Sequence, residues 1–263
     1  MRLLLAELAP VRGDLEANLA RLERLSGAHP AELTVYPELF LTGYRVGDRL
    51  HRMGVRPGDA TVGRLNAAAE RAHGAILVGG AIAGPRPGEI QNGALLASPS
   101  GELQVQSKRF LPTYGPFEEG VPFSAGDRSV PLQLGERRVG VGICYDTFFP
   151  EVFRTLALAG AELLAIPSAA PVTSSRLFAK LLPARAVENA VPVVYVNRVG
   201  VVDGVVFGGG SGAWDARGEP LPTEELPLEH AGDGERLLGV EVDLDDAARW
   251  RPFRPVLRDG DHA

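Results

Sequence analysis

Val139-Gly-Val-Gly-Ile-Cys-Tyr-Asp-Thr-Phe-Phe-Pro-Glu-Val-Phe153 reads as a buried strand, a sharp elbow and then a helix. Val139, Val141 and Ile143 alternate with glycines, which is the period of a β-strand. Pro150 suits the first turn of a helix, because the N–H it lacks has no partner to lose there. Between strand and helix sits Cys144, the single cysteine of the chain. A thiol at such an elbow faces the positive end of the helix dipole, which favours thiolate. Taken alone, a lone cysteine more often reads as a small buried hydrophobe. The residues that accompany it decide the matter.

Outward from the elbow, strands alternate with helices. Leu3 to Ala9 predicts a first strand, and Asp14 to Ser26 a helix with Leu15, Leu19, Leu22 and Leu25 at helical spacing and Gly27 as a stop. Leu33 to Tyr36 is a strand and Ala60 to His73 a helix. Ile76 to Ala83 and Asn92 to Ser98 are strands joined by the turn-rich Gly84-Pro-Arg-Pro-Gly-Glu89, and Leu103 to Lys108 follows a hairpin turn. Beyond the elbow come a helix from Pro150 to Ala159, a buried strand from Glu162 to Pro167, a helix from Ser174 to Asn189 and a strand from Val191 to Asn197. Val205 to Trp214 and Leu237 to Val242 complete the strands. A weak β–α–β pseudo-repeat on either side of about Gly135 suggests two sheets with helices on their outer faces, in one domain spanning 1–263.

Composition narrows the function. A chain of 263 residues with 45% hydrophobic and 23% charged side chains carries a sizeable core. A net charge of −6 argues against nucleic acid, which needs clustered Lys and Arg. Met1-Arg-Leu-Leu-Leu-Ala-Glu7 starts like a signal peptide but meets a glutamate at once, so a first core strand is expected. No apolar run is long enough to span a bilayer. One cysteine allows no internal disulfide, which points to a reducing, cytoplasmic setting. The five histidines have no ligand spacing, so neither a metal nor another cofactor is expected.

Two further segments stand beside Cys144. Leu33-Thr-Val-Tyr-Pro-Glu38 ends an apolar run with a carboxylate, and Gln104-Val-Gln-Ser-Lys108 ends an extended run with a lysine. Read singly, Glu38 is a turn cap after proline and Lys108 a solvated strand-end lysine. Together with Pro37-Glu38-Leu39, Lys108-Arg109 before Leu111-Pro112, Gly142 to Asp146 before Phe149-Pro150-Glu151, Ala184 to Asn189 and Gly209-Gly-Ser211, they run in one order along the whole chain. In that order and spacing the chain resembles the nitrilase superfamily of carbon–nitrogen hydrolases. The resemblance implies an α/β fold built as a four-layer αββα sandwich, with two mixed sheets flanked by helices. It implies a Glu38–Lys108–Cys144 triad, and chains that pair through their helices into a homodimer or larger homo-oligomer. In the segment Tyr114 to Gly126 it implies a second glutamate, with Glu119 the better match and Glu118 the runner-up, holding Lys108 or the substrate in place.

These residue types suit amide hydrolysis. Cys144 supplies the nucleophile, Glu38 moves the proton, and Lys108 with the backbone N–H of Tyr145 faces the oxyanion. Tyr114, Tyr145, Ser168 and Arg176 are the expected substrate contacts. Ser168 ends a strand after Ile166-Pro167, and Arg176 could meet a substrate carboxylate bidentately. Arg185 and Glu188, three apart on a helix, read as a structural ion pair. Residues 250–263 are either a partner-crossing arm or an ordinary surface tail.

Phe40 to Tyr44, Leu111 to Glu119 and Val199 to Ser211 look like the glutaminase domain of glutamine-dependent NAD synthetases. Against a simple transfer, Gly208 to Gly212 lacks the Lys and helix of a phosphate loop. Tyr145 also follows the cysteine where those domains usually carry Glu. The expectation is therefore hydrolysis of a small linear amide through a thioester. A glutaminase-type subunit that feeds ammonia to a separate synthetase, an N-carbamoyl amine hydrolase and a catalytically silent binding subunit are the alternatives. A thiol redox role is disfavoured, because no second cysteine can resolve an oxidised Cys144.

Overall fold

Residues 1–260 are described in the computed structural model. In chain order the elements are β1 (Arg2–Glu7), α1 (Leu15–Ala28), β2 (Leu33–Val35), α2 (Leu50–Met53), α3 (Ala60–Ala72), β3 (Ala75–Ala83), β4 (Ile90–Ala97), β5 (Gln104–Ser107), β6 (Leu132–Leu134) and β7 (Arg137–Val141). There follow α4 (Pro150–Leu158), β8 (Leu163–Ser168), α5 (Ser175–Asn189), β9 (Val193–Asn197), β10 (Val199–Val202), β11 (Val205–Gly208), β12 (Gly212–Trp214), β13 (Thr223–Leu226), β14 (Arg236–Glu241), α6 (Leu244–Trp250) and α7 (Val256–Gly260).

A seven-stranded sheet has the order β13-β14-β1-β2-β3-β4-β5, and a five-stranded sheet the order β12-β9-β8-β7-β6. Both are mixed. The inner strands β1, β2 and β3 pair in parallel, as do β7, β8 and β9, while the outer strands pair antiparallel. Strand alternation builds the layers. Leu3, Leu5, Leu33, Val35 and Leu77 share a core with Val139, Val141, Leu163 and Ala165 of the second sheet. Their neighbours Leu4, Ala6, Ile76 and Val78 pack instead with Leu19 and Leu22 of α1 and Leu65, Ala68 and Ala69 of α3. Strands buried on both faces read as continuous apolar runs, which is how β1 and β3 read.

The glycines of the elbow stretch now have a reason. A Cβ on Gly142 would lie 2.5 Å from the Phe153 ring, and one on Gly140 would lie 3.0 Å from Leu156. Bare backbone on that face lets α4 lie against β7. The result is the helix–sheet–sheet–helix sandwich expected from the sequence.

Several details differ from expectation. Val205 to Trp214 is not one strand. Gly209 and Gly210, at φ of 66° and 84°, turn the chain so that β11 pairs with β10 in a hairpin while β12 joins the second sheet. The cause is the buried carboxylate of Glu7, which accepts the Ser211 N–H at 2.7 Å and fills the space a Gly209 side chain would need. After Cys144 the chain makes a 3-10 turn over Cys144–Phe148 before α4 begins at Pro150. The short strands β6, β10 and β13 carry too few residues to show a period. In the tail, α7 lies against α5, and Trp250 receives the Arg217 guanidinium at 4.9 Å. The last part of the 250–263 arm, residues 261–263, lies outside the described residues.

Candidate active site

Glu38 is placed by a close approach of backbones. After β2, Tyr36 N donates to Leu77 O and Leu41 N to Gly79 O, which lays the Pro37-Glu38-Leu39 turn along β3. A Cβ at Gly79 would stand 2.4 Å from Pro37 O and 2.6 Å from Glu38 Cα, so only glycine admits the turn. Leu39 takes a φ of 52°, which swings the chain away and leaves Glu38 pointing between the sheets. The Glu38 carboxylate is 1% exposed. Its Oε1 accepts Lys108 Nζ at 2.6 Å and Asn92 Nδ2 at 2.7 Å, and its Oε2 accepts the Ala169 N–H at 2.8 Å from the end of β8.

Lys108 follows β5 and is held at both peptide groups: its N–H donates to Asn92 O, and its C=O accepts from Gly126 N. Its side chain is fully buried. The ammonium also donates to Glu119 Oε2 at 2.8 Å and Oε1 at 3.0 Å. Burial alone would lower the Lys108 pKa, but Glu119 and Glu38 outweigh it and hold the ammonium well above the ordinary lysine range. One cation thus faces two carboxylates, a set with an excess of negative charge. Burial, with Glu38 alongside, accordingly pushes the Glu119 carboxyl up against the opposing pull of Lys108. Tyr44 donates its hydroxyl to Glu119 Oε1 at 2.8 Å.

Cys144 stands at a φ of 46°, in the left-handed region that a residue with a Cβ rarely adopts. The elbow is tied from the helix side by Arg185, whose Nε donates to Thr147 O at 2.9 Å while its Nη1 meets Glu188 at 2.7 Å. The helix dipole alone favours thiolate, but the surroundings of the thiol work against it. Burial and the Glu38 carboxylate push the thiol pKa far above its ordinary value, with Lys108 only partly opposing them. A short 3-10 turn offers little dipole to set against that desolvation.

Over Cys144 lies a narrow cavity of about 20 Å³ lined by Pro112, Phe117, Ala169, Ala170, Pro171 and Ser174, together with an aromatic wall. In that wall Tyr114 packs on Tyr145 at 5.3 Å, Tyr145 on Phe148 at 5.4 Å, and Phe148 on Phe178 at 5.6 Å. Glu119 is the one charged lining residue, and it is bound by Lys108. A larger cleft, about 500 Å³, lies beyond Glu119 between residues 43–51 and 118–123 and does not include Cys144.

The structure therefore brings Glu38, Lys108, Glu119 and Cys144 together. Tyr114 and Tyr145 stand in the cavity wall, and Ser168 is fully buried beside the thiol and Tyr195. Glu118 is exposed and faces the larger cleft. Arg176 is exposed on the first turn of α5 and does not line the Cys144 cavity. Sequence reasoning gave no role to Asn92, Tyr44 or Asn197. Asn197 ties the Ala170 backbone to Gly209 through its side-chain amide. An amide inside an apolar strand, such as Asn92 in β4, was the available signal, because buried polar groups need partners.

The carbon–nitrogen hydrolase family model matches residues 5–252, and the chain belongs to that family. An (R)-stereoselective amidase from Pseudomonas sp is 33% identical over 98% of this chain and 91% of its own length. A glutamine-dependent NAD(+) synthetase from Thermotoga maritima is also 33% identical over 98% of this chain, which spans 45% of that relative's length. Among solved structures, a mutant amidase from Nesterenkonia sp. AN1 with acrylamide added at its active-site cysteine superposes with a TM-score of 0.78 at 31% identity, covering 96% of this chain and 97% of that one. Among the described residues, no helix is long and apolar enough to cross a membrane.

Proposed function

We propose that this chain, acting as one hydrolase domain, cleaves the C–N bond of a small neutral amide through a thioester on Cys144. The observation that carries the reading is the buried Lys108 ammonium, bonded at 2.6 Å to Glu38 and at 2.8 Å to Glu119 beneath the cavity that opens on Cys144. Glu38 takes the thiol proton as Sγ bonds to the amide carbon. Lys108 and the Tyr145 N–H hold the oxyanion, which is electrostatic stabilisation in a dry site. As the tetrahedral species collapses, the C–N bond breaks and Glu38 returns the proton to the departing nitrogen. A water then gives Glu38 a proton and adds to the thioester; the C–S bond breaks, the acid leaves, and the thiol recovers its proton. Burial and the Glu38 carboxylate raise the thiol pKa, so a base that deprotonates it during attack is called for, and the adjacent Glu38 is suited to that. Glu119 holds Lys108 in place.

The cavity supports this substrate class. Its lining has no cation to meet a carboxylate and no free acid to meet an α-ammonium group. A short, uncharged acyl group fits the aromatic wall, and acrylamide, itself an unsaturated small amide, is what the Nesterenkonia relative carries. A glutaminase role beside a separate synthetase is supported by the Thermotoga relative, but the cavity leaves the amino acid end of glutamine unmatched. The single cysteine fits a reducing cytoplasm. Leu158, Leu177 and Val187, exposed on α4 and α5, fit pairing of two copies through their helices.

The test is ammonia release from matched pairs: propionamide and butyramide against succinamate and glutamine, wild type beside Cys144→Ala. Cys144-dependent release that favours the uncharged member of each pair is expected. Preference for the charged amides would overturn the substrate class, and release that survives in Cys144→Ala would overturn the mechanism.

A further inference from the structure

We infer that Asp146 is a positioning residue that bolts the Lys108 strand end to the Cys144 elbow. Its carboxylate is 1% exposed and accepts three backbone N–H groups. Two belong to the residues that directly follow Lys108: Phe110 N to Oδ1 at 2.9 Å and Arg109 N to Oδ1 at 3.2 Å. The third belongs to the residue that directly precedes Cys144: Ile143 N to Oδ2 at 3.0 Å. The Lys108 segment extends β5 of the seven-stranded sheet, and Ile143 extends β7 of the five-stranded sheet. Among the described residues no strand pairing links those sheets, so side chains help to set their register at the reacting groups. Asp146 supplies one such link within two residues of each group it aligns.

The residue type matters. Hydrogen bonds to a carboxylate are roughly twice as strong as neutral ones. The two oxygens face donors from both sides, so the site needs acceptors at both. Asparagine would keep one oxygen and turn an NH₂ against the other N–H, releasing either the Lys108 side or the Cys144 side. The Asp146 backbone belongs to the same joint: its N–H donates to Ile143 O and its C=O accepts from Phe149 N, which closes the turn that presents the thiol. Among the described residues no Lys or Arg pairs directly with Asp146, so its burial is offset only in part, by these backbone donors and the nearby Lys108 charge.

The inference rests on the reading of Cys144 and Lys108 as reacting groups. That reading is checked separately by wild-type turnover of propionamide and its loss in Cys144→Ala. The test proper compares wild type, Asp146→Asn and Asp146→Glu at a temperature where circular dichroism shows each folded, with reactive thiol counted by stoichiometric alkylation. A misplacement of about 1 Å costs on the order of 10²-fold in rate. Asp146→Asn should therefore lower kcat per reactive thiol by about that factor with KM little changed, and Asp146→Glu, which keeps two acceptors, should recover part of it. If Asp146→Asn does not fold, the Glu variant's lowered kcat at unchanged KM is the expected result. A folded Asn or Glu variant that melts earlier but turns over at the wild-type rate per thiol would make Asp146 a brace of the fold alone and overturn the inference.

Discussion

Lys108 Nζ lies 2.6 Å from Glu38 Oε1, and neither group reaches solvent. The pair joins a lysine after β5 to a glutamate after β2, 70 residues apart in sequence. A buried ion pair is weak evidence for stability by itself, because desolvation offsets its attraction. Removing one member is a different matter, since the other charge is left without compensation.

Lys108→Met should accordingly destabilise the chain by about 3–5 kcal/mol, as is usual when one partner of a buried pair is lost. It strands two carboxylates, so Lys108→Met combined with Glu119→Gln should recover part of the loss. Thermal or urea unfolding of the single and double variants measures both effects. Additive losses would mean that Lys108 and Glu119 are not coupled.

Gly79→Ala should damage both fold and site. The added methyl meets Pro37 O at 2.4 Å and the Glu38 backbone at 2.6 Å, atoms that cannot yield without moving the turn. Overpacking of this kind costs about 1–3 kcal/mol. The expected result is a lowered melting temperature and a larger fall in kcat than the melting change explains. Unchanged kinetics would show that the Glu38 turn tolerates displacement.

The thiol sets a pH dependence. Its folded-state pKa is raised, so the native state keeps a proton that the unfolded chain gives up as pH passes the ordinary thiol range. The stability from this group is therefore complete below about pH 8.5 and declines as pH rises beyond it. Alkylation of Cys144 by iodoacetamide should be slow at pH 7 and still climbing at pH 9.5. A rate that levels off below pH 8 would mean a resting thiolate. Cys144→Ala should remove the part of the alkaline loss of stability that sets in at about pH 8.5, below the range in which the buried tyrosines titrate when unfolded.

Arg176→Ala should leave kcat and KM for a neutral amide within about twofold of wild type, the range of an exposed substitution that touches nothing in the site. Steady-state kinetics checks it, and a large rise in KM would bring Arg176 to the substrate.

Much of this architecture was legible in the chain. The alternation Val139-Gly-Val-Gly-Ile143 carries both its inward apolar face and the bare face on which α4 rests. Glu38, Lys108 and Cys144 stood out because each ends an extended run. What was not legible is what depends on pairing across distance. The split between β11 and β12 is caused by Glu7, some 200 residues earlier in the chain. The state of the thiol depends on how far burial and Glu38 outweigh Lys108, a balance of terms that only geometry sets. Asp146 was visible as a letter of the elbow stretch, but its bonds to Arg109 and Phe110 exist only once the two sheets face each other. Arg176 looked suited to a carboxylate because a guanidinium can bind one bidentately, and here it is exposed on the first turn of α5.

The covalent intermediate is the central claim, and intact-protein mass spectrometry reads it directly. Wild-type chain mixed with propionamide and quenched in acid within milliseconds to seconds should carry one propionyl mass increment, located on the Cys144 peptide and lost as turnover ends. Cys144→Ala should show neither increment nor ammonia. Ammonia released at the wild-type rate by Cys144→Ala would contradict the account.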